Sequence, residues 1–155
     1  MEFQIPPALK AEHEELHGEL ARATRSGGRT GEAAGAVAQL MHPHFIKEEE
    51  YALPPLGLLS ALSQGKVELG MSEVLKMTDR LEAELPRMLA EHKDIVKALQ
   101  QLVEAAKAED KPEYVHFAEK LMAHARTEEE VSYPTAVLVG RYLKAVLPDR
   151  KIRAA

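Results

Sequence analysis

The sequence predicts an all-α protein, an up-down-up-down antiparallel four-helix bundle with an additional short C-terminal helix. Three observations carry that expectation. Apolar residues recur at helical rather than strand spacing, and β-branched runs are few. Prolines and Gly-rich stretches cut the chain into four long segments. The links between those segments are short, which favours antiparallel neighbours. With 155 residues, 45% of them hydrophobic, the chain has the size and apolar content of a single domain, 1–155.

The first helix is expected over 6–25. It opens at Pro6-Pro7, carries Ile5, Leu9, His13, Leu16 and Leu20 along one stripe, and ends at Ser26-Gly27-Gly28. The second, 32–52, presents Val37, Leu40, Met41, His44 and Glu48 on one face; Pro43 should kink it and Pro54-Pro55 stop it. Leu56 to Leu62 forms a short helix at the midpoint of the chain. The third helix, 71–108, runs Leu75, Leu81, Leu85, Met88, His92, Ile95, Leu99 and Leu102, with a bend at Pro86. The fourth, 113–132, runs Phe117, Leu121, His124, Glu128 and Val131 and ends at Pro134. A last amphipathic stretch, 135–147, offers Val137, Leu138, Leu143, Val146 and Leu147 either as a cap on the bundle or as a homodimer contact.

The chain repeats itself, 6–55 matching 71–135. His-XXX-Glu-Glu-Glu occurs at His44–Glu50 and again at His124–Glu130, each preceded by Ala-Glu-His ending at His13 or His92. Each feature follows its counterpart by 79 or 80 residues, Pro54 and Pro134 included. On a helix a four-residue separation turns about 40° and climbs about 6 Å, so His44 shares a face with Glu48, and His124 with Glu128. The halves therefore offer matching His, His, Glu sets that a pseudo-twofold arrangement can gather around a pair of metal ions. Imidazole and carboxylate together suit iron, manganese or zinc. Two carboxylates on inward stripes need such compensation, because burying each unpaired costs several kcal/mol.

Composition removes other classes. The chain has no cysteine, which excludes disulfides, thiolate zinc sites and cysteine-ligated iron–sulfur clusters. A net charge of −5 with intermixed signs argues against nucleic-acid partners and anionic membrane surfaces. The first residues carry neither the basic nor the apolar stretch of a secretory signal, and no apolar run approaches about twenty residues, so a cytoplasmic location away from membranes is expected.

These motifs resemble the hemerythrin-like family, or HHE cation-binding domain. The matching segments are Ala11–Leu16, His44–Glu50, Ala90–Ile95 and His124–Glu130. The resemblance implies a non-heme di-iron cofactor, oxo- or hydroxo-bridged, with Glu48 and Glu128 bridging and His13, His44, His92 and His124 as terminal ligands. It implies binding of O2 or a related small ligand such as nitric oxide or peroxide. Alternatives are an enzyme decomposing peroxide or reducing nitric oxide, and an iron or oxygen sensor. Oxygen carriers of the family have a fifth histidine on the third helix where this chain has Val96. A centre with fewer nitrogens is expected to oxidise more readily and release oxygen less reversibly.

Other polar residues have competing readings. His17, one turn after His13, is either a further ligand or an outer partner. His42 should face away from His44, and His116 is too far from His124 to share its metal. Tyr51 either hydrogen-bonds a bridging carboxylate or simply packs. Glu12 and Glu91 are either outer acceptors for imidazoles or, since they diverge from the adjacent histidines by about 100°, solvent-facing, which is the default; the Glu49-Glu50 and Glu129-Glu130 pairs are expected to face solvent.

Overall fold

The computed structural model describes residues 2–148; Met1 and 149–155 of the expected domain lie outside the described residues. Every regular element among the described residues is helical. The four long helices are α1 (Pro7–Thr24), α2 (Gly28–Lys47), α4 (Leu75–Ala108) and α5 (Pro112–Thr127), and α3 (Leu59–Ser63) and α6 (Tyr133–Val146) complete the set. Prolines open α1 and α5 at first-turn positions, where the missing N–H has no partner to lose. Both α2 and α4 continue through an internal proline, Pro43 and Pro86.

α2 starts four residues earlier than its pattern predicts. Glu109, from the far end of α4, accepts from the Arg29 and Thr30 amides at 3.1 and 2.7 Å and from the Thr30 hydroxyl at 2.5 Å. A distant carboxylate thus supplies the cap that no local side chain provides. Gly28, at φ 61°, lets it approach, since any Cβ there would collide with it. The α-helical part of the third helix begins later than expected, at Leu75, preceded by a 3-10 stretch, Leu69–Val74.

The larger departure from expectation lies at the motif ends. After Lys47 the chain passes into a π-helical turn, Glu48–Ala52, and after Thr127 into another, Glu128–Ser132. The first leads through Pro54–Leu58, a 3-10 segment, into α3. The second leads straight into α6, so Pro134 does not end a helix as expected. It sits in the first turn of α6, where a proline is tolerated. Nor is the apolar face of α6 free. Val139, Leu143 and Leu147 are buried with Leu58, Met71, Val74 and Leu75, and Val137 packs against a neighbouring cluster. Leu138, Tyr142 and Val146 are the large apolar residues of this helix that remain exposed. Gly140 permits the close crossing of α6 on α4, since a Cβ there would lie 2.6 Å from Thr78 Cβ.

Two further apolar clusters fix where the polar residues lie. One contains Leu16, Leu20, Val37, Met41, Phe45, Ile95, Leu99, Leu102, Phe117 and Leu121. The other contains Tyr51, Leu53, Leu56, Leu81, Met88 and Tyr133. Along the second rod the order is Met41, His44, Tyr51, and along the third it is Ile95, His92, Met88, so each histidine comes between the two clusters. The site is a polar layer clamped between two dry ones.

Candidate metal centre

His13 on α1, His44 on α2, His92 on α4 and His124 on α5 meet Glu48 and Glu128, the first residues of the two π turns. All six are buried, Glu48 completely. They form two overlapping groups whose donor atoms lie within 4.8 Å of one another: His13, Glu48, His124, Glu128, and His44, Glu48, His92, Glu128. Both glutamates belong to both groups.

Each carboxylate also divides its oxygens between the two. Glu48 Oε1 lies 3.1 Å from His44 Nε2 and its Oε2 3.8 Å from His13 Nε2. Glu128 Oε1 lies 3.5 Å from His92 Nε2, and its Oε2 3.3 and 3.5 Å from His124 and His13 Nε2. No lysine or arginine pairs with either glutamate among the described residues. Both oxygens of Glu48, Oε2 of Glu128, Nε2 of His124 and both ring nitrogens of His13 are buried without a hydrogen-bond partner. Leaving such groups unsatisfied is costly, and a pair of cations answers all of them together. The donor set, four imidazoles and two carboxylates with no thiolate, fits iron, manganese or zinc.

The outer nitrogens are held by carboxylates that the sequence assigned to solvent. His44 Nδ1 is 2.9 Å from Glu91, His92 Nδ1 is 3.0 Å from Glu129 and His124 Nδ1 is 2.6 Å from Glu12. Glu49 stands 3.8 Å from His13 Nδ1. Each glutamate precedes or follows a site residue on its own helix but serves the histidine of the next one. The angular divergence that turns Glu12 away from His13 points it at His124. An Nδ1–H donated outward leaves the Nε2 lone pair facing inward, the tautomer a cation requires. Glu91 also pairs with Lys47; burial raises its pKa, but Lys47 and His44 outweigh that and lower it.

The histidines facing each other across the second group differ. Burial disfavours protonated His44, yet the nearby carboxylates of Glu48 and Glu91 prevail and its pKa is raised. Burial and the neighbouring His44 hold His92 below its ordinary value.

The most important residue that the sequence reading passed over is Tyr133. Its fully buried hydroxyl lies 3.2 Å from His44 Nε2 and 3.1 Å from His92 Nε2. Burial, then the charge of Glu48, pushes its pKa well up. The π turn is what aims it. On an α-helix Tyr133, five residues after Glu128, would lie about 140° away. The i→i+5 turn, closed by the Tyr133 N–H on the Glu128 carbonyl, reduces that to about 50°. The same effect in the other half rotates Tyr51 off the site. Its hydroxyl donates to Met88 Sδ at 3.7 Å, and Arg80 lies over its ring at 4.3 Å, so packing is its role.

His17 is also outside the cage. Its ring packs at 3.9 Å on Phe45, which separates it from His13, and burial lowers its pKa. His42 and His116 are exposed and take no part.

The profile of the hemerythrin HHE cation binding domain matches residues 5–136. The chain belongs to that family. No curated protein and no solved structure shows a significant similarity to it. The match spans all six converging side chains of this HHE domain and ends within α6. No described helix is long and apolar enough to cross a membrane.

Proposed function

We propose that this HHE domain is a non-heme di-iron protein with the up-down-up-down hemerythrin topology, binding O2, nitric oxide or peroxide at a carboxylate-bridged pair. The observation that carries the reading is the division of Glu48 and Glu128, each facing both histidine pairs with a different oxygen. His13 and His124 would hold one ion and His44 and His92 the other, with both glutamates shared. A ferrous pair supplies electrons to a small ligand, one from each ion. The chain's own part is to orient and to exclude water. Glu12, Glu91 and Glu129 hold the imidazoles, while Met88, Ile95, Phe45 and Leu121 close the layer above and below. A reducing cytoplasm suits both ferrous iron and a chain without cysteine.

Anaerobic loading with ferrous iron should give about two irons per chain and, on exposure to O2, the near-ultraviolet bands of a bridged diferric pair. Equal loading by zinc without any iron-dependent band would defeat the proposal. An enzymatic variant of the same reading is favoured by Val96, which stands where carriers have a fifth histidine and leaves one ion with fewer nitrogens. Sustained O2 release from hydrogen peroxide, abolished in Glu48→Ala, would establish it.

A further inference from the structure

We propose that Tyr133 is a seventh protein ligand, its phenol oxygen binding the cation held by His44 and His92, so that the exogenous small ligand is left to the cation held by His13 and His124. This rests on the di-metal reading above and adds an asymmetry that the repeated motifs do not contain.

The geometry is that of a coordination edge. Neighbouring donors around an octahedral ion with bonds of 2.0–2.1 Å are about 3 Å apart. Tyr133 Oη is 3.2 and 3.1 Å from the two inward nitrogens, as close as His44 Nε2 is to Glu48 at 3.1 Å and closer than His92 Nε2 is to Glu128 at 3.5 Å. It therefore belongs to the same polyhedron. The donor set agrees: with Glu91 and Glu129 on the two Nδ1 atoms, both Nε2 atoms are turned to the Tyr133 hydroxyl and to the carboxylates of Glu48 and Glu128, a group of atoms that a cation can join. When the cation enters, the phenol O–H breaks, an oxygen–metal bond forms and the proton goes to solvent, with no change of oxidation state.

Among the described residues the opposite group has no such donor. The repeat counterpart of Tyr133 is Leu53, buried in the apolar cluster below. The inward nitrogens of His13 and His124 have no hydrogen-bond partner. An apolar pocket also comes near this group. A pocket between α1 and α2, lined by His17, Leu20, Met41 and Phe45, reaches the Phe45 ring, and that ring lies 4.9 Å from His13.

The test uses the iron-loaded chain, oxidised, with the iron counted. Resonance Raman excitation in the visible should reveal phenolate ring modes and a phenolate-to-ferric band. Tyr133→Phe, which keeps ring and packing, should lose both while retaining two irons, and Tyr51→Phe should keep both. Azide titration should show one binding event in the parent and a second in Tyr133→Phe. Two bound irons without phenolate modes in the parent, or unchanged modes in Tyr133→Phe, would overturn the assignment alone. A parent chain that takes up no iron would overturn the di-metal reading with it.

Discussion

The two halves of this HHE domain carry the same donors at the same registers, yet they deliver them into unlike surroundings. His13, His44 and Glu48 match His92, His124 and Glu128 in type and burial. Around them the first half turns out of its π segment through Pro54–Leu58, whereas the second runs on into α6 and brings Tyr133 inward. Duplication thus fixes which groups meet, and the exit of each π turn decides what else reaches the site. A pseudo-symmetric cage need not be a symmetric centre.

The largest expected effect tests the symmetry itself. Because both glutamates are shared, Glu48→Ala and Glu128→Ala should each abolish stable binding of both ions, read as metal content after dialysis. Each should also raise the Tm of the metal-free chain, since removing an unpaired buried carboxylate relieves about 1–3 kcal/mol. Loss of only one ion in either variant would show that the carboxylates are not equivalent bridges. Next come the repeat partners Leu20 and Leu99, both in the dry cluster beyond the histidines. Truncation of either to alanine should cost about 2–5 kcal/mol in denaturant unfolding, and a much smaller loss for one would reveal a half that collapses around the gap.

A finer contrast separates the outer carboxylates. Glu91→Gln and Glu129→Gln should weaken metal affinity about 10- to 100-fold in competition with a chelator. Glu49→Gln should do less, because Glu49 is half exposed and stands 3.8 Å from His13 rather than within hydrogen-bond range. Equal losses in all three would mean that the affinity depends on net charge alone. The smallest effect concerns Glu109, which caps α2 and has no counterpart at the start of α5. Its hydrogen bonds to Thr30 lower its pKa from 4.5 to about 2. A depressed carboxyl stabilises above its unfolded value and loses that contribution as pH falls through the folded one. Glu109→Gln should therefore lower the Tm modestly at neutral pH, with the difference closing between pH 4.5 and about 2. A pH-independent difference would assign the loss to packing.

Much of the layout was legible in the chain because the relevant spacings are helical ones. The i, i+4 pairs His44–Glu48 and His124–Glu128 lie side by side as expected, and the stripes that carry His13 and His92 are the core stripes. The two tyrosines were harder to place, for one reason. An unbroken 3.6-residue period places Tyr51 near the carboxylates and Tyr133 away from them; the π turns reverse both. The partners of the outer glutamates were hidden for another reason. Glu12, Glu91 and Glu129 look solvent-facing on their own helices, and their partners are 112, 47 and 37 residues away.

The sequence alone determined the helices, the duplicated donors and the inward faces that carry them, because local periodicity and side-chain chemistry are properties of short stretches. Only the tertiary structure decided which carboxylate serves which imidazole, that Glu109 starts α2, and that Tyr133 reaches the cage while its counterpart Leu53 is buried in the apolar cluster below. Those outcomes depend on how one rod is rotated against the next, and a single π turn changes that rotation without altering the motif.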